Sequence, residues 1–278
     1  MQNDPVPFAE RPLWDDPAAL PLARPEDAAA AEHFVPSDDA IHRLSDVTRP
    51  TLSFFPSTGR DPRPAALVCP GGGYSVLAWN HEGTDIASWL VANGISAFLL
   101  KYRCPGRRDA ALADAARAMR LLRANAAAWH LDLARIGTIG FSAGAHLSVA
   151  LANMASPADA YPPADGIDAF DPRPDFQFVI YPAYLDRPDG APGIAPELHV
   201  TPRTPPAFLF QAEDDHALVG SSFAYAQALR AAGVRMELHI GPEGGHGYGL
   251  LHRGKPSDLW PALAMDWFRR EVVRAPVW

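Results

Sequence analysis

The stretch Ile136-Gly-Thr-Ile-Gly-Phe-Ser-Ala-Gly-Ala145 decides the fold of this chain. An apolar run typical of a buried strand leads directly into the pattern G-x-S-x-G, and a helical sequence follows at once. This order predicts a nucleophile elbow, the sharp strand-to-helix turn that presents a serine hydroxyl above a parallel sheet. Gly140 and Gly144 suit the strained backbone and the close chain approach at such a turn. Ser142 is therefore the candidate nucleophile.

Short apolar runs bounded by Gly, Pro or Asp alternate with helical stretches along the chain after Pro50. The predicted strands are 51–55, 65–69, 95–102, 136–141, 176–181, 207–211 and 234–240, and the predicted helices are 84–93, 110–129, 143–154, 221–232 and 258–273. This alternation predicts an α/β fold with a mostly parallel central sheet and helices on both of its faces. Ligands in such folds bind at the carboxyl ends of the strands.

Length and composition favour one large domain. The chain has 278 residues, 48% apolar and 20% charged, and no linker divides it after residue 60. Residues 1–45 are rich in Pro, Ala and Asp and lack periodicity over most of their length. We expect them to form an extended N-terminal arm packed on a single catalytic domain of residues 46–278.

The charge balance and the apolar runs bear on partners and compartment. The net charge is −8, and the absence of a Lys/Arg cluster argues against nucleic acid. No apolar run reaches the roughly 18 residues of a membrane span, and Met1 to Glu10 lacks the features of a secretory signal. We therefore expect no membrane partner and a cytoplasmic location. A chain from which a secretory signal had been removed would show the same sequence features. The sequence does not predict an oligomeric state.

Neither the cysteines nor the histidines show the spacing of a metal site. Cys69 and Cys104 stand in no C-x-x-C pattern and are predicted to be reduced packing residues. The histidines at 216, 239 and 252 form no H-E-x-x-H or paired pattern. We expect no metal and no cofactor.

A base and an acid for Ser142 follow two later strands. His246 lies in a glycine-rich turn after strand 234–240, and Asp215 follows strand 207–211. A serine hydroxyl needs a base to accept its proton and a third group to orient that base. We predict His246 as the base and Asp215 as the acid. Asp214, adjacent to Asp215, and Asp186, beyond strand 176–181, remain alternative acids.

The run Cys69-Pro-Gly-Gly-Gly-Tyr74 directly follows a predicted strand. Glycine-rich loops at this place supply backbone amides to the oxyanion of a tetrahedral intermediate. The predicted donors are the amides of Gly72 or Gly73 and of Ala143. Aromatic side chains beside these segments are predicted to line the substrate pocket, with core packing as the alternative for each: Tyr74, Trp79, Phe141 and Tyr184. Glu82 and the run Lys101-Tyr102-Arg103 are expected to fix the glycine loop through buried ion pairs rather than to meet substrate.

Several of these motifs together resemble the α/β-hydrolase esterases related to acetyl xylan esterases and other carbohydrate acetyl esterases. The resemblance rests on Pro70-Gly-Gly-Gly-Tyr, Glu82-Gly, Lys101-Tyr-Arg, Gly140-Phe-Ser-Ala-Gly-Ala-His-Leu, Tyr181-Pro and Gly245-His-Gly-Tyr-Gly-Leu, and extends to Pro12-Leu-Trp and Pro50-Thr-Leu. It implies an α/β-hydrolase fold and a serine acyl-enzyme mechanism that releases acetyl groups from sugar hydroxyls without a cofactor. It also implies the triad Ser142, Asp215 and His246. The chain departs from the pattern at Ala145, where glycine is commoner, and at Gln211-Ala212, where a His-Gly or His-Ala pair is usual.

Three functions fit the sequence to different degrees. A serine esterase acting on small acyl esters, such as O-acetylated sugars or xylo-oligosaccharides, accounts for the elbow, glycine loop, acid and histidine together. A serine peptidase of the prolyl oligopeptidase type shares the fold and triad, but 278 residues leave no room for its usual gating domain. A non-catalytic binding protein on the same scaffold is the third reading. A dienelactone-hydrolase-like lactonase is disfavoured by serine at the elbow, and the sequence leaves the natural ester and the acyl length open.

Overall fold

Eight strands form one large sheet in the computed structural model, which describes residues 8–15, 20–59 and 61–273. The strands of this structure are β1 (Phe8–Pro12), β2 (His33–Val35), β3 (Arg43–Ser45), β4 (Thr51–Phe55), β5 (Arg63–Cys69), β6 (Leu77–Ala78), β7 (Ser96–Lys101), β8 (Leu131–Phe141), β9 (Gln177–Ile180), β10 (Ala207–Ala212) and β11 (Met236–Gly241). The helices are α1 (Asp85–Ala92), α2 (Arg108–Ala124), α3 (Ala143–Ala152), α4 (Val219–Ala231) and α5 (Trp260–Phe268).

The large sheet has the order β1-β4-β7-β5-β8-β9-β10-β11. The six strands from β7 to β11 in this order are parallel, and β4 and β1 extend them antiparallel at one edge. A small second sheet joins β2, β3 and β6. The predicted fold class, a mostly parallel sheet with helices on both faces, is confirmed.

Alternate residues of the central strands face opposite layers of helices. Leu67 of β5 packs in a core with α2 and α3, whereas its neighbours Ala66 and Val68 pack in a core with α1 and α5. The same alternation separates Phe98 from Leu99 on β7. Successive side chains of a strand point to opposite faces, so a strand covered on both sides must be apolar throughout. This explains the unbroken apolar runs of the sequence.

The N-terminal region contains short strands that its sequence did not predict. β1 pairs antiparallel with β4 at the edge of the large sheet, and β2 and β3 belong to the small sheet. Ion pairs attach the region to the sheet, since Lys101 lies 2.9 Å from Glu10 and 3.0 Å from Glu32. Each strand has only three to five residues, too few for a periodic pattern to stand out.

Two further observations concern the rest of the described chain. Cys69 and Cys104 are free and buried, and burial raises the pKa of each thiol to about 12. No helix within the described ranges is both long and apolar enough to cross a membrane.

Candidate active site

Ser142 lies at the turn between β8 and α3, with the positive φ of 52° and a ψ of −120°. The neighbouring glycines permit this turn because helix and strand nearly touch there. A Cβ on Gly140 would lie 2.4 Å from the carbonyl oxygen of Gly144, and one on Gly144 would lie 2.0 Å from that of Cys69. The Ser142 amide donates to the carbonyl of Ile180 across 3.1 Å and ties the strained residue to β9.

The structure brings the three predicted triad side chains together. Nε2 of His246 lies 2.8 Å from Oγ of Ser142, and Nδ1 of His246 lies 2.6 Å from Oδ2 of Asp215. The carboxylate can only accept, so it places the imidazole proton on Nδ1 and leaves Nε2 free to accept the serine proton. Ser142 and Asp215 are 8% and 7% exposed, so water competes little for these hydrogen bonds.

The two alternative acids have other partners. Asp214 accepts the amide of Gly245 across 2.7 Å, and backbone amides of this loop lower the pKa of its carboxyl. It therefore holds the histidine loop from outside. Asp186 accepts the hydroxyl of Ser221 across 2.6 Å at the start of α4. The geometry thus favours Asp215 as the partner of His246.

The glycine loop after β5 lies directly against Ser142. A Cβ on Gly71 would lie 2.9 Å from Cβ of the serine, and one on Gly72, where φ is 124°, would overlap the carbonyl of Val76 at 2.2 Å. The amide of Gly71 already donates to Glu82, whereas those of Gly72 and Gly73 have no hydrogen-bond partner among the described residues. Ala143 is the first residue of α3. The predicted oxyanion donors Gly72 or Gly73 and Ala143 therefore flank the serine.

Glu82 fixes this loop, but not through the expected ion pairs. Its carboxylate accepts the amide of Gly71 across 2.7 Å and the hydroxyl of Tyr181 across 2.9 Å, and burial raises its pKa. The Tyr181 hydroxyl in turn accepts the amide of Gly249 across 3.0 Å. Glu82 and Tyr181 thereby connect the glycine loop to the loop that carries His246.

The expected ion pairs lie elsewhere. Arg103 is fully buried and pairs with Asp114 at 2.7 Å, while Lys101 pairs with the N-terminal region. The residue of this segment that does contact the loop is Tyr102, whose hydroxyl donates to the carbonyl of Pro70 across 2.7 Å. A single sequence did not reveal these partners, since they depend on which elements pack together.

The four aromatic residues predicted to bind substrate are in different surroundings. Phe141 is 0% exposed and packs on Tyr181 and Trp260, so it is a core residue, and the prediction of a substrate contact is not supported. Trp79 is half-buried between the two largest cores. Tyr184 is 36% exposed, and its hydroxyl lies 3.8 Å from where a Cβ on Gly73 would lie, so it borders the glycine loop.

Tyr74, the fourth aromatic residue, is 3% exposed and bonded to a histidine that the sequence reasoning missed. Its hydroxyl lies 2.8 Å from Nδ1 of His146, four residues after the nucleophile on α3. Burial, with the cation of Arg108 as a second cause, lowers the pKa of His146 to about 4, so the ring is neutral at pH 7. Tyr74 therefore supports the helix behind the serine.

Gln211 is a second residue that sequence reasoning did not place in the site. Its amide donates to Oδ2 of Asp215 across 2.7 Å, and its carbonyl accepts the hydroxyl of Ser222 across 2.9 Å. The signal was its position at the end of β10, four residues before the acid. Within the described part of the chain, no group of three or more His, Cys, Asp or Glu side chains could hold a metal ion.

Comparisons with known proteins found a family model, a solved structure and two further proteins that this chain is similar to. The BD-FAE family model matches residues 53–160. The solved acetyl ester-xyloside bifunctional hydrolase of Caldicellulosiruptor lactoaceticus is 31% identical, with a TM-score of 0.77 over 94% of this chain and 96% of that one. An acetylxylan esterase of Xylanibacter ruminicola is 32% identical over 83% of this chain, and endo-1,4-beta-xylanase B of Butyrivibrio fibrisolvens is 31% identical over 66%. The chain spans 49% and 32% of the lengths of these last two proteins.

Proposed function

The chain belongs to the family of α/β-hydrolase esterases related to acetylxylan esterases, and from this membership we propose that it is a serine esterase that removes acetyl groups from O-acetylated sugars or xylo-oligosaccharides. The observation that supports the proposal most strongly is the continuous contact from Ser142 through His246 to Asp215, at 2.8 Å and 2.6 Å. We also propose that residues 46–278 act as one catalytic domain with residues 1–45 as an arm. A cytoplasmic location stays a prediction.

In the first half of the proposed reaction, Oγ of Ser142 attacks the ester carbonyl while Nε2 of His246 takes the serine proton. The carbonyl oxygen becomes an oxyanion, which the amide of Ala143 and that of Gly72 or Gly73 stabilise. Each such donor contributes about 3 to 4 kcal/mol to transition-state stabilisation. The imidazolium is stabilised by Asp215 and then gives its proton to the departing sugar oxygen, which leaves an acetyl ester on Ser142.

In the second half, His246 takes a proton from water, whose oxygen attacks the acetyl-enzyme carbonyl at the same oxyanion site. Collapse of this intermediate breaks the bond to Oγ, the imidazolium returns a proton to Ser142, and acetate leaves. The serine, histidine, acid and amides suffice for every proton and charge in this cycle.

Labelling, ester and sugar assays test the proposal together. A fluorophosphonate probe should label Ser142 in the wild type and not in Ser142→Ala. The wild type should cleave p-nitrophenyl acetate faster than the octanoate and should release acetate from acetylated xylo-oligosaccharides. Proline-anilide cleavage at rates rivalling the esters would instead indicate a peptidase. A folded wild type that resists the probe would indicate a binding protein.

A further inference from the structure

A groove runs between α2 and α3 and reaches Tyr74, the residue that follows the glycine loop. It encloses about 340 Å³. We call it the α2–α3 groove and define it by residues from three parts of the chain: Arg108 and Leu112 of α2, His146 and Ala150 of α3, and Glu197 and His199 of the loop between β9 and β10. No step of the proposed reaction uses it.

The groove begins close to the nucleophile. His146 lies one helical turn after Ser142, a rise of about 6 Å along α3. Tyr74, which lines the groove, directly follows the glycine loop. Tyr184 follows Ala183, whose amide donates to the carbonyl of Ser142 across 3.3 Å. A molecule bound in the groove can therefore extend to an ester held at the serine.

One buried polar atom in the groove has no hydrogen-bond partner among the described residues. His146 is 5% exposed, and the Tyr74 hydroxyl donates to its Nδ1, since the described residues offer that hydroxyl no other acceptor. The ring proton then lies on Nε2, which makes no hydrogen bond within the described ranges, because the Glu197 carboxylate at 3.8 Å is beyond hydrogen-bonding distance. A buried donor without a partner is costly, so a ligand hydroxyl that accepts from it would be stabilised.

Arg108 supplies a second set of unused donors. Its guanidinium has no ion pair among the described residues, and its central carbon lies 4.4 Å from the ring centre of Tyr184 and 5.1 Å from that of Tyr74. Stacking on the rings holds the guanidinium plane and leaves its N–H edge available. Because Tyr74 directly follows the glycine loop, these donors lie near that loop.

The charges and lining of the groove select the ligand class. Among the described residues that line the groove, three acids, Asp109, Asp159 and Glu197, outnumber the one arginine, Arg108, which disfavours an anion. An alkyl chain would leave the donor of His146 unsatisfied. Sugar hydroxyls both donate and accept, so they pair with carboxylates and with N–H groups alike, while the sugar ring covers Leu112 and Ala150.

We propose that the α2–α3 groove binds the sugar chain on the alcohol side of the scissile ester, with Arg108, His146 and Glu197 bonding its hydroxyls. This rests on the proposed function and adds the subsite that distinguishes an oligosaccharide from a simple acetate ester. The groove residues, and not the triad, then determine the affinity for the sugar part of the ester.

Exposed groove residues allow a test with little risk to folding. Arg108 and Glu197 are exposed, so Arg108→Ala and Glu197→Ala should fold, with Arg230→Ala on α4 as the matched control. For each variant, kcat/KM is measured on acetylated xylotriose and on p-nitrophenyl acetate. We expect the ratio of the two to fall about tenfold in the groove variants, chiefly through KM, and to stay unchanged in Arg230→Ala. An unchanged ratio in both groove variants would overturn the proposal.

Binding separates this proposal from the proposed reaction. Calorimetric titration of Ser142→Ala with unacetylated xylotriose measures the affinity of the groove for the sugar without catalysis. We expect weaker binding when Arg108→Ala is added. Equal binding with and without that change would overturn the proposal that the groove binds the sugar. If the wild type cleaves no acetylated sugar and Ser142→Ala still binds xylotriose through Arg108, the proposed esterase substrate fails and the groove stands.

Discussion

The side-chain amide of Gln211 donates to the same carboxylate oxygen of Asp215, Oδ2, that faces Nδ1 of His246. Two donors therefore converge on one oxygen of a buried acid, at 2.7 Å and 2.6 Å. Ser222 fixes the other end of the amide. The orientation of the imidazole thus depends on a residue at the end of β10 as well as on the acid itself.

Replacing Gln211 should weaken catalysis without abolishing it. Gln211→Leu removes one donor from the buried carboxylate, and we expect kcat for p-nitrophenyl acetate to fall about tenfold, the effect of one net hydrogen bond. Gln211→His can still donate an N–H and should keep more activity than Gln211→Leu. Equal losses in the two variants would show that the donor is unimportant.

The two adjacent acids should behave differently. Asp215→Asn favours the wrong imidazole tautomer, and we expect kcat to fall about 10³- to 10⁴-fold. Asp214→Asn keeps His246 paired with its acid and should lower kcat less than tenfold, with a small loss of thermal stability. Steady-state kinetics and thermal melts on both variants show which of the two acids supports catalysis. The reverse order would assign the acid to Asp214.

Glu82 should act as a positioning residue for both loops. Glutamine has one acceptor oxygen where the carboxylate has two, so Glu82→Gln cannot accept from both Gly71 and Tyr181. We expect kcat to fall about 10- to 100-fold with little change in KM, because the oxyanion amides lose their alignment.

Tyr181→Phe is the comparison for Glu82→Gln, since it frees Gly249 but leaves the Gly71 bond in place. Its loss in kcat should be smaller. A fall in melting temperature with unchanged kcat in both variants would show that Glu82 and Tyr181 have only a structural role.

His146 should make stability depend on pH. The unfolded histidine takes up a proton below its ordinary pKa of 6.5, whereas in the folded protein burial delays protonation to about 4. The unfolded state therefore binds more protons between these values, so the free energy of unfolding should decrease as pH falls from 6.5 to 4, by roughly 3 kcal/mol at most. In urea unfolding at several pH values, the free energy of unfolding of His146→Phe should depend less steeply on pH than that of the wild type. The same dependence in both proteins would contradict the assignment to His146.

The buried pair of Arg103 and Asp114 should be essential for folding stability. Both side chains are 0% exposed, and the arginine donates to both carboxylate oxygens. Asp114→Ala leaves a buried cation without its counter-charge and should cost about 3 to 5 kcal/mol of unfolding free energy. Asp189→Ala, which breaks the exposed pair with Arg187 at 2.6 Å, should change stability little. Denaturant unfolding of the two variants compares them directly.

Most of the sheet could be predicted because its strands are buried on both faces and their runs are unbroken. The strands of the N-terminal region and β6 could not, since two to five residues show no period. In the site, the glycine motifs and the order of serine, acid and histidine pointed to the right loops. Phe141 was misassigned because it stands beside the nucleophile in sequence, while a strand directs neighbouring side chains to opposite faces.

The sequence by itself determined the elbow, the alternation of strands and helices, and which three loops reach the carboxyl edge of the sheet, because these follow from local pattern and chain order. Only the tertiary structure decided that Glu82 and Tyr181 join two of those loops, that Gln211 holds Asp215, and that α2 and α3 leave a groove beside the serine. Such contacts link residues far apart in the chain, and no local pattern specifies which buried donor will meet which acceptor.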